Sequence, residues 1–349
     1  MKNAYLLVTD LHADMEKAHR VNYLGEILQA MQDILNIAEK YKSQGYSVNL
    51  IFLGDVFDAG SARSEDAMQL MEIFYFFTEN FSNVWSVVGN HEITYAANNP
   101  FWFLVAEMRD DSLSLIKRFI QPRGITGRVV IPDKVVDGEV SFFFNHFGTE
   151  PKLATGGKVR IGLFHQNVGS SEICKMWGNF DNVEDAPYVQ GYTNCFFGHI
   201  HMGRGEYWLN KEHTCMGEWL GTIGRTKVDE IVESHLEVNI PAVLVEDGRF
   251  VAIDKNFIQL PDFDKAVDKA KLEAYKKGRE KFTERKKVAT ANYTGKTLLD
   301  TLDVAFANSE IGFLLGFLNR SWNEVFHEYQ QTLNNLPTHE EESSNEEIT

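Results

Sequence analysis

Five short polar clusters in this sequence carry side chains that could bind metal ions. The clusters are Asp10-Leu11-His12, Gly54-Asp55-Val56-Phe57-Asp58, Gly89-Asn90-His91-Glu92, His165, and Gly198-His199-Ile200-His201. Together they offer carboxylate and amide oxygens as well as imidazole nitrogens. This mixed donor set suits manganese, iron or zinc better than calcium, which prefers oxygen ligands alone. The residue types therefore predict a metal centre.

Each cluster begins where an apolar segment ends, so a layered sheet would gather all five at one edge. The apolar segments predict five buried strands. These strands are Ala4–Thr9, Val48–Leu53, Val84–Val88, Val159–Phe164 and Asn194–Phe197. The glycines at 54, 89 and 198 are expected to permit sharp turns that direct the next side chain to a common site.

The first three strands alternate with helices, which is typical of a layered α/β domain. Apolar residues at three- and four-residue steps from Leu24 to Tyr41 indicate one helix that ends at Gly45, and Ser64–Phe77 indicates another. The chain then becomes richer in strands. Further strands are predicted at Val129–Ile131, Val140–Phe144, Ala242–Val245 and Phe250–Ile253.

A domain boundary is predicted near residue 260, where the pattern becomes helical. We expect residues 1–260 to form the main α/β domain and 261–337 to form a helical appendage, either a cap or a partner-binding segment. Phe263, Val267, Ala270 and Ala274 would line one face of its first helix. The last twelve residues, 338–349, contain five glutamates and no lysine or arginine. They are predicted to be an acidic disordered tail.

The overall charge excludes a uniformly basic surface. The 349 residues contain 34 lysines and arginines against 50 aspartates and glutamates, a net charge of −16. Any polyanionic partner must therefore meet a local basic patch or a metal. One such patch is Lys271–Lys287, with eight basic and three acidic residues. A solvated helix face, with lysines paired to Glu273, Glu280 and Glu284, is the other reading of that segment.

Cysteine usage and hydropathy bear on location. Three cysteines form no paired framework, which favours a reducing compartment. No apolar run approaches the length of about 20 residues that crosses a bilayer. A cytoplasmic protein without a membrane partner is predicted.

The five clusters in this order, D-x-H, G-D-x-x-D, G-N-H-E, H and G-H-x-H, resemble the calcineurin-like metallophosphoesterase superfamily over residues 4 to about 225. The resemblance implies a four-layer α/β/β/α sandwich with two metal ions at the sheet edge. It implies one ion held by Asp10, His12, Asp55 and His201, and a second held by Asp55, Asn90, His165 and His199. Manganese is the expected metal, with iron, zinc or magnesium as alternatives.

The implied activity is hydrolysis of a phosphoester by a hydroxide that bridges the two metals. His91 is expected to protonate the leaving oxygen or to bind the phosphate, and Asp58 to orient the His91 ring. For the single-histidine position, His146 in FFFNHFG competes with His165, because it also follows an apolar strand. We favour His165, since Gly162 and Gly169 frame its turn.

Within the superfamily, the sequence is similar to the branch of DNA-end-processing repair exonucleases that work with an SMC-like ATPase. His165-Gln166-Asn167 and the stretch Gly217–Arg225 carry this similarity. It implies a DNA exonuclease or endonuclease, with an SMC-like ATPase or a second copy of the chain as partner. Two alternatives stay open. One is a cyclic-nucleotide phosphodiesterase, phosphomonoesterase or protein phosphatase of the same fold. The other is a non-catalytic assembly subunit, against which the intact ligand set argues.

Overall fold

The computed structural model describes residues 1–292 apart from residue 18 and the segments 59–63, 95–98, 111–112, 114–126, 170–173, 175–180, 183–190, 202–204, 210–212 and 227–235. The chain forms two compact units, Met1–Phe282 and Thr283–Thr349. Of the second unit, only 283–292 fall within the described residues, so the predicted acidic tail lies outside them. The predicted boundary near residue 260 and the role of the appendage stay predictions.

The helices and strands have the following bounds. The strands are β1 (Lys2–Val8), β2 (Ser47–Leu53), β3 (Val84–Val87), β4 (Val105–Met108), β5 (Val129–Ile131), β6 (Lys134–Asp137), β7 (Val140–Asn145), β8 (Val159–Phe164), β9 (Val168–Gly169), β10 (Asp181–Asn182), β11 (Asn194–Phe197), β12 (Gly205–Trp208), β13 (Met216–Trp219), β14 (Glu237–Asn239), β15 (Ala242–Glu246), β16 (Arg249–Asp254) and β17 (Phe257–Gln259). The helices are α1 (Tyr23–Ser43), α2 (Ser64–Thr78), α3 (Asn90–Thr94), α4 (Phe101–Leu104), α5 (Phe263–Ala266) and α6 (Lys269–Asn292).

Two large sheets form the centre of the first unit. The first has the order β16-β15-β1-β2-β3-β5-β4, and the second has the order β12-β13-β11-β8-β7-β6. Strands β1, β2, β3, β5 and β4 are parallel, as are β7, β8, β11 and β13. Parallel strands are buried on both faces, which explains why their sequences are continuously apolar rather than alternating.

The two sheets pack face to face through one apolar core. Leu7 of β1 and Leu53 of β2 share this core with Phe144 of β7 and Leu163 of β8, and all four are fully buried. Helix α1 packs against β2 on the outer side of the first sheet. The sheets flanked by helices confirm the predicted metallophosphoesterase sandwich. The segments 170–173 and 175–180, which lie between β9 and β10 along the chain, are not among the described residues.

Two details of the predicted helices are wrong. In α1 the predicted apolar face is partly right, since its members Met31, Ala38 and Tyr41 are buried. Leu28, which the same spacing placed on that face, is 39% exposed, and Tyr23, Ile27 and Ile34 are buried instead. The residues Phe263, Val267, Ala270 and Ala274 do not line one helix, because Val267 is extended (φ −107°, ψ 123°) and ends α5. The Asp268 carboxylate then accepts the backbone N–H groups of residues 270 and 271, each at 3.0 Å, and so caps a new helix.

No helix among the described residues is both long enough and apolar enough to cross a membrane.

Candidate metal centre

The predicted clusters lie at the carboxyl ends of five parallel strands. Asp10, Asp55 and Asn90 follow β1, β2 and β3 of the first sheet, while His165 and His199 follow β8 and β11 of the second. Backbone hydrogen bonds tie neighbouring ends together within each sheet. Asp10 donates to the Gly54 carbonyl at 3.2 Å, and Gly198 donates to the Phe164 carbonyl at 2.9 Å. Because the sheets pack face to face, the five ends meet.

Four of the residues predicted to bind metal have left-handed backbone conformations. Their φ angles are 48° for Asp10, 43° for His12, 50° for Asp55 and 73° for His199. A side chain at such an angle costs roughly 1–3 kcal/mol, so these conformations persist only where the surrounding structure imposes them. Their concentration in one place marks a functional site rather than an ordinary set of loops.

The three motif glycines serve the site in two different ways. Gly54 has a φ of +87°, as expected for a sharp turn, and a Cβ there would lie 2.4 Å from Nδ1 of His165. Gly89 and Gly198 do not need a left-handed turn, which corrects the expectation from sequence. Instead, their missing side chains let other groups approach, since a Cβ would lie 2.2 Å from Asp55 Oδ1 or from Thr9 Oγ1 respectively.

The first donor group consists of Asp10, His12 and His201. The Nε2 atoms of the two histidines face each other at 2.9 Å. Oδ1 of Asp10 lies 3.5 Å from the His12 nitrogen and 3.3 Å from the His201 nitrogen. Asp55 Oδ2 reaches this group from the other side, at 3.7 Å from His12 Nε2.

The second donor group consists of Asp55, His165 and His199. Oδ2 of Asp55 lies 3.2 Å from Nε2 of His165. The amide oxygen of Asn90 lies 3.0 Å from the same nitrogen. Oδ2 of Asp55 therefore lies in the second group and beside the first, where the resemblance predicts a bridging ligand.

Two hydrogen bonds indicate which ring nitrogens face the centre. Nδ1 of His165 lies 2.6 Å from the Leu53 carbonyl and donates to it, which leaves Nε2 as the donor atom for a metal. Nε2 of His199 lies 2.7 Å from Oδ1 of Asn167, which leaves Nδ1. Histidines that bind metals are commonly held by such a hydrogen bond on the other nitrogen.

The electrostatics of the site favour positive charge. Burial lowers the pKa of His165, but the carboxylates of Asp55 and Asp10 outweigh it and raise the pKa to about 9. Burial raises the pKa of Asp55, but His165 and His12 hold it below its usual range. The buried carboxylates thus retain their charge and draw cations toward them.

The donor atoms fit divalent cations. Ligands at about 2.1 Å from one metal are separated from each other by about 3.0–3.4 Å when they subtend 90–109°. The separations above, from 2.9 to 3.7 Å, span this range. Oδ1 of Asp10 is buried and accepts no hydrogen bond from any described residue, so its lone pairs are available. Two facing imidazole nitrogens are likewise best satisfied by a cation between them.

His91 and Asp58 lie together beside the shared carboxylate. Nδ1 of His91 is 3.1 Å from Oδ1 of Asp58, as required if Asp58 orients the ring. The backbone N–H of His91 donates to Asp55 Oδ1 at 2.9 Å, and its Nε2 is 3.9 Å from Asp55 Oδ2. Burial lowers the pKa of His91, although Asp55 opposes this effect. The catalytic roles of both residues stay predictions.

His146, the competing candidate from sequence, belongs to a different set of contacts. Its Nδ1 accepts the Val88 backbone N–H at 3.0 Å, and its Nε2 lies 3.0 Å from Asp110 Oδ2. The ring is fully buried. Both nitrogens are therefore engaged away from Asp55, and His165 occupies the position between Asp55 and Asn90. Gln166 also turns away from the centre, because it donates to the carbonyls of His146 and Thr149.

Glu92 is a residue whose role the sequence reading left unassigned. It is fully buried. Its carboxylate accepts the backbone N–H groups of Asp55, Val56 and Gly89 at 2.9, 2.8 and 2.8 Å. It thereby fixes the second cluster to the third. The motif G-N-H-E contained the signal, but only the fold shows what the carboxylate binds.

Comparisons with known proteins identify the family of this chain. A sequence profile described as calcineurin-like phosphoesterase matches residues 5–203. No curated protein matches the chain. Among solved structures, the chain is similar to a 5'-nucleotidase precursor from Thermus thermophilus, with 13% identity, a TM-score of 0.40, and coverage of 80% of this chain and 59% of that one. It is also similar to the sulfate thiohydrolase SoxB from Thermus thermophilus, with 10% identity, a TM-score of 0.38, and coverage of 78% and 60%. The chain thus spans about three fifths of the length of these structures.

The chain belongs to the calcineurin-like phosphoesterase family. The family consists of phosphoester hydrolases that bind two divalent metal ions. The donor groups Asp10-His12-His201 and Asp55-His165-His199 are the candidate site for them, and a third group of possible donors, His12, Asp58 and His91, adjoins the first.

Proposed function

We propose that this phosphoesterase hydrolyses phosphodiester bonds in DNA, as an exonuclease with some endonuclease activity. The observation that carries the proposal is the position of the basic helix α6. The helix begins against the same loop that carries Asp10 and His12. Asp268 donates its backbone N–H to the His19 carbonyl at 3.1 Å, and the Tyr275 ring lies 6.1 Å from the His19 ring.

The described part of α6 presents unpaired positive charge. Its lysines at 271, 276, 277 and 281 are exposed. None of them forms an ion pair with a described carboxylate, although Glu273 and Glu280 lie on the same helix. The alternative reading as a face of paired charges is therefore the weaker one for this segment. Because the chain has a net charge of −16, a phosphate backbone needs a local positive surface to bind, and this helix provides one.

The seven predicted ligands fit two cations, and manganese agrees with their mixed oxygen and nitrogen donors. When bound, such cations would act as Lewis acids that neutralise charge on the phosphoryl oxygens and lower the pKa of an attacking water. Asp55 holds the two halves of the site together, and Glu92 holds the loop of Asp55 in place.

His91 is positioned to supply the proton that the reaction needs. A water oxygen forms a bond to phosphorus, and the bond from phosphorus to the ester oxygen breaks with its electron pair leaving on that oxygen. His91 Nε2 donates a proton to this oxygen, while Nδ1 stays 3.1 Å from Oδ1 of Asp58, which orients the ring. The water loses a proton to solvent. His91 takes up a proton from solvent and so returns to its starting state. Serine or cysteine nucleophiles are not required.

A panel of substrates with Mn²⁺ tests the proposal. It consists of linear duplex, single-stranded DNA, cyclic nucleotides and a small chromogenic diester. We expect duplex DNA to be degraded from its ends. Hydrolysis of cyclic nucleotides or monoesters alone would contradict the nuclease assignment and favour the small-molecule alternative.

A charge-reversed helix separates DNA binding from chemistry. Four lysines would be replaced by glutamate, at 271, 276, 277 and 281. If they contact four phosphates, the slope of log affinity against log salt should flatten by about 3–4. Hydrolysis of the chromogenic diester should not change. The control variant reverses four basic residues elsewhere, Lys2, Lys42, Lys158 and Arg249. An equal loss on both substrates, or an equal loss in the control, would contradict the role of α6.

The remaining predictions about partners and location stand on the sequence alone. An SMC-like ATPase or a second copy of this chain is proposed as the partner, and the cytoplasm as the location.

A further inference from the structure

The loops that carry the first two clusters run side by side beyond the ends of β1 and β2. His12 donates its backbone N–H to the Asp55 carbonyl at 2.9 Å, and Ala13 donates to the Val56 carbonyl at 3.0 Å. Asp58 then donates back to the Ala13 carbonyl at 3.0 Å. This ladder fixes the backbone of Asp58 relative to the first loop. It leaves the direction of the Asp58 carboxylate to be set by side chains.

Lys17, from the first loop, contacts that carboxylate. Its Nζ forms an ion pair with Oδ2 of Asp58, and it lies 3.0 Å from Oδ2 of Asp14. The Lys17 side chain is only 17% exposed and Asp58 is 13% exposed. Nζ also lies 5.8 Å from the centroid of the Tyr23 ring, whose hydroxyl donates to the His12 carbonyl. Lys17 is thus held on several sides and is not a mobile surface lysine.

The two oxygens of Asp58 face different partners. Oδ2 faces Lys17, while Oδ1 lies 3.1 Å from Nδ1 of His91 and 3.7 Å from Nδ1 of His12. A buried charge left without its counter-ion is strongly unfavourable, so Asp58 would turn toward water or toward His12 if Lys17 were absent. Either movement releases the ring of His91.

We propose that Lys17 is a positioning residue for His91, acting through Asp58 to aim His91 Nε2 at the leaving oxygen. The inference rests on the proposed role of His91 as proton donor. Asp58 transmits the effect because its carboxylate is shared between the ammonium and the imidazole. The carboxylates that Lys17 contacts among the described residues, Asp14 and Asp58, are not predicted metal ligands, so its effect is expected in the step in which the proton is delivered.

Leaving groups of different basicity distinguish this role from a general structural one. A series of aryl phosphoesters from 2,4-dinitrophenyl to phenyl would be compared for the wild type, Lys17→Met, Lys17→Arg, His91→Ala and the double variant. For the phenyl ester, whose oxygen needs a proton, Lys17→Met should lower kcat by about 10²-fold, the cost of a small misplacement. The dinitrophenyl ester, which leaves without a proton, should be unaffected, and KM should not change.

The other variants complete the test. Lys17→Arg keeps a cation beside Asp58 and should recover most of the activity. In the His91→Ala background, Lys17→Met should have no further effect, since the two residues act as a unit. Lys152→Met is the matched control, because Lys152 is 16% exposed and pairs with Asp110, which in turn contacts His146 away from the centre. It should show no dependence on the leaving group.

A measurement without substrate keeps the inference separate from the proposed reaction. In the metal-free protein, Nδ1 of His91 lies 3.1 Å from Oδ1 of Asp58. If Asp58 holds the ring in solution, the proton on this nitrogen should give a slowly exchanging, low-field proton resonance, identified by its loss in His91→Ala. Lys17→Met should abolish the resonance and Lys17→Arg should retain it. If the resonance depends on Lys17 but no phosphoester is hydrolysed, the positioning stands and the proposed function fails. A resonance unchanged in Lys17→Met, a uniform loss across leaving groups, or a further loss in the double variant would overturn the inference.

Discussion

Oδ2 of Asp55 lies 3.2 Å from Nε2 of His165, and the same oxygen lies 3.7 Å from the His12 nitrogen on the opposite side. One carboxylate atom thus faces both donor groups. The arrangement depends on the left-handed backbone of Asp55 and on Glu92, which accepts the Asp55 backbone N–H at 2.9 Å. A ligand shared in this way couples the two halves of the centre.

Replacing Asp55 by asparagine should abolish hydrolysis, because it removes charge from both donor groups at once. The amide oxygen can still accept the His91 backbone N–H, so the fold should survive. Metal content and thermal unfolding of the variant would be measured together. Substantial activity with two bound cations would show that Asp55 does not bridge.

His91→Ala should leave the metals in place and lower turnover by about 10²–10⁴-fold, the usual contribution of a general acid. Its ring contacts Asp58 on one side and lies 3.9 Å from Asp55 on the other, and with His12 and Asp58 it forms a third group of possible donors. Metal analysis beside steady-state kinetics makes the distinction. Loss of a metal would identify His91 as a ligand.

Asn167→Ala should lower the affinity for one of the two metal ions by about 10–100-fold, the usual effect of removing a residue that orients a metal-binding histidine. Asn167 Oδ1 holds Nε2 of His199 at 2.7 Å. Titration calorimetry with Mn²⁺ would resolve the two sites. Asn167→Asp keeps an acceptor and serves as the control. An equal loss at both sites would contradict the assignment of His199 to a single group.

The buried ring of His146 predicts a pH dependence of stability. Burial lowers its pKa from the ordinary 6.5, although Asp110 opposes this. The folded protein therefore resists a proton that the unfolded chain accepts. The stability is fully present above pH 6.5 and is lost as the pH falls from 6.5 through the lowered pKa.

Unfolding in denaturant between pH 7.5 and 5 would measure this loss. His146→Gln retains an acceptor for the Val88 backbone N–H and should give a shallower dependence on pH. His213→Gln changes an exposed ring and is the control. A dependence as steep in His146→Gln as in the wild type would exclude the buried ring as its cause.

The predicted ligands could be read from the sequence because each follows the end of an apolar strand, and the carboxyl ends of parallel strands meet. What the sequence could not show is contact between loops that are distant along the chain. The ion pair of Lys17 with Asp58 joins residues 41 positions apart, and Asn167 reaches His199 over 32 positions. Lys17 does not stand out in the sequence as part of a site, and Asn167 was noted only as part of the motif after His165, without the partner that it binds.

The strands of the fold could be predicted from the sequence, whereas details of the helices could not. Strands such as Val159–Phe164 match their predicted bounds, because a buried parallel strand is a continuous apolar run. The buried face of α1 was located only in part: Met31, Ala38 and Tyr41 are buried as predicted, but at the start of the helix Leu24 and Leu28 have helical spacing just as Tyr23 and Ile27 do. Only packing against the sheet selects between two such adjacent stripes. The break at Val267 was missed because Asp268 was not recognised as a helix cap.

The central claim is that two cations share Asp55. Anomalous diffraction from crystals of the metal-stripped protein soaked in Mn²⁺ tests it most directly. We predict two peaks about 3.5–4 Å apart, one beside Asp10, His12 and His201, the other beside Asn90, His165 and His199, with Asp55 in contact with both. A single peak, or a peak beside His146 and Asp110, would contradict it.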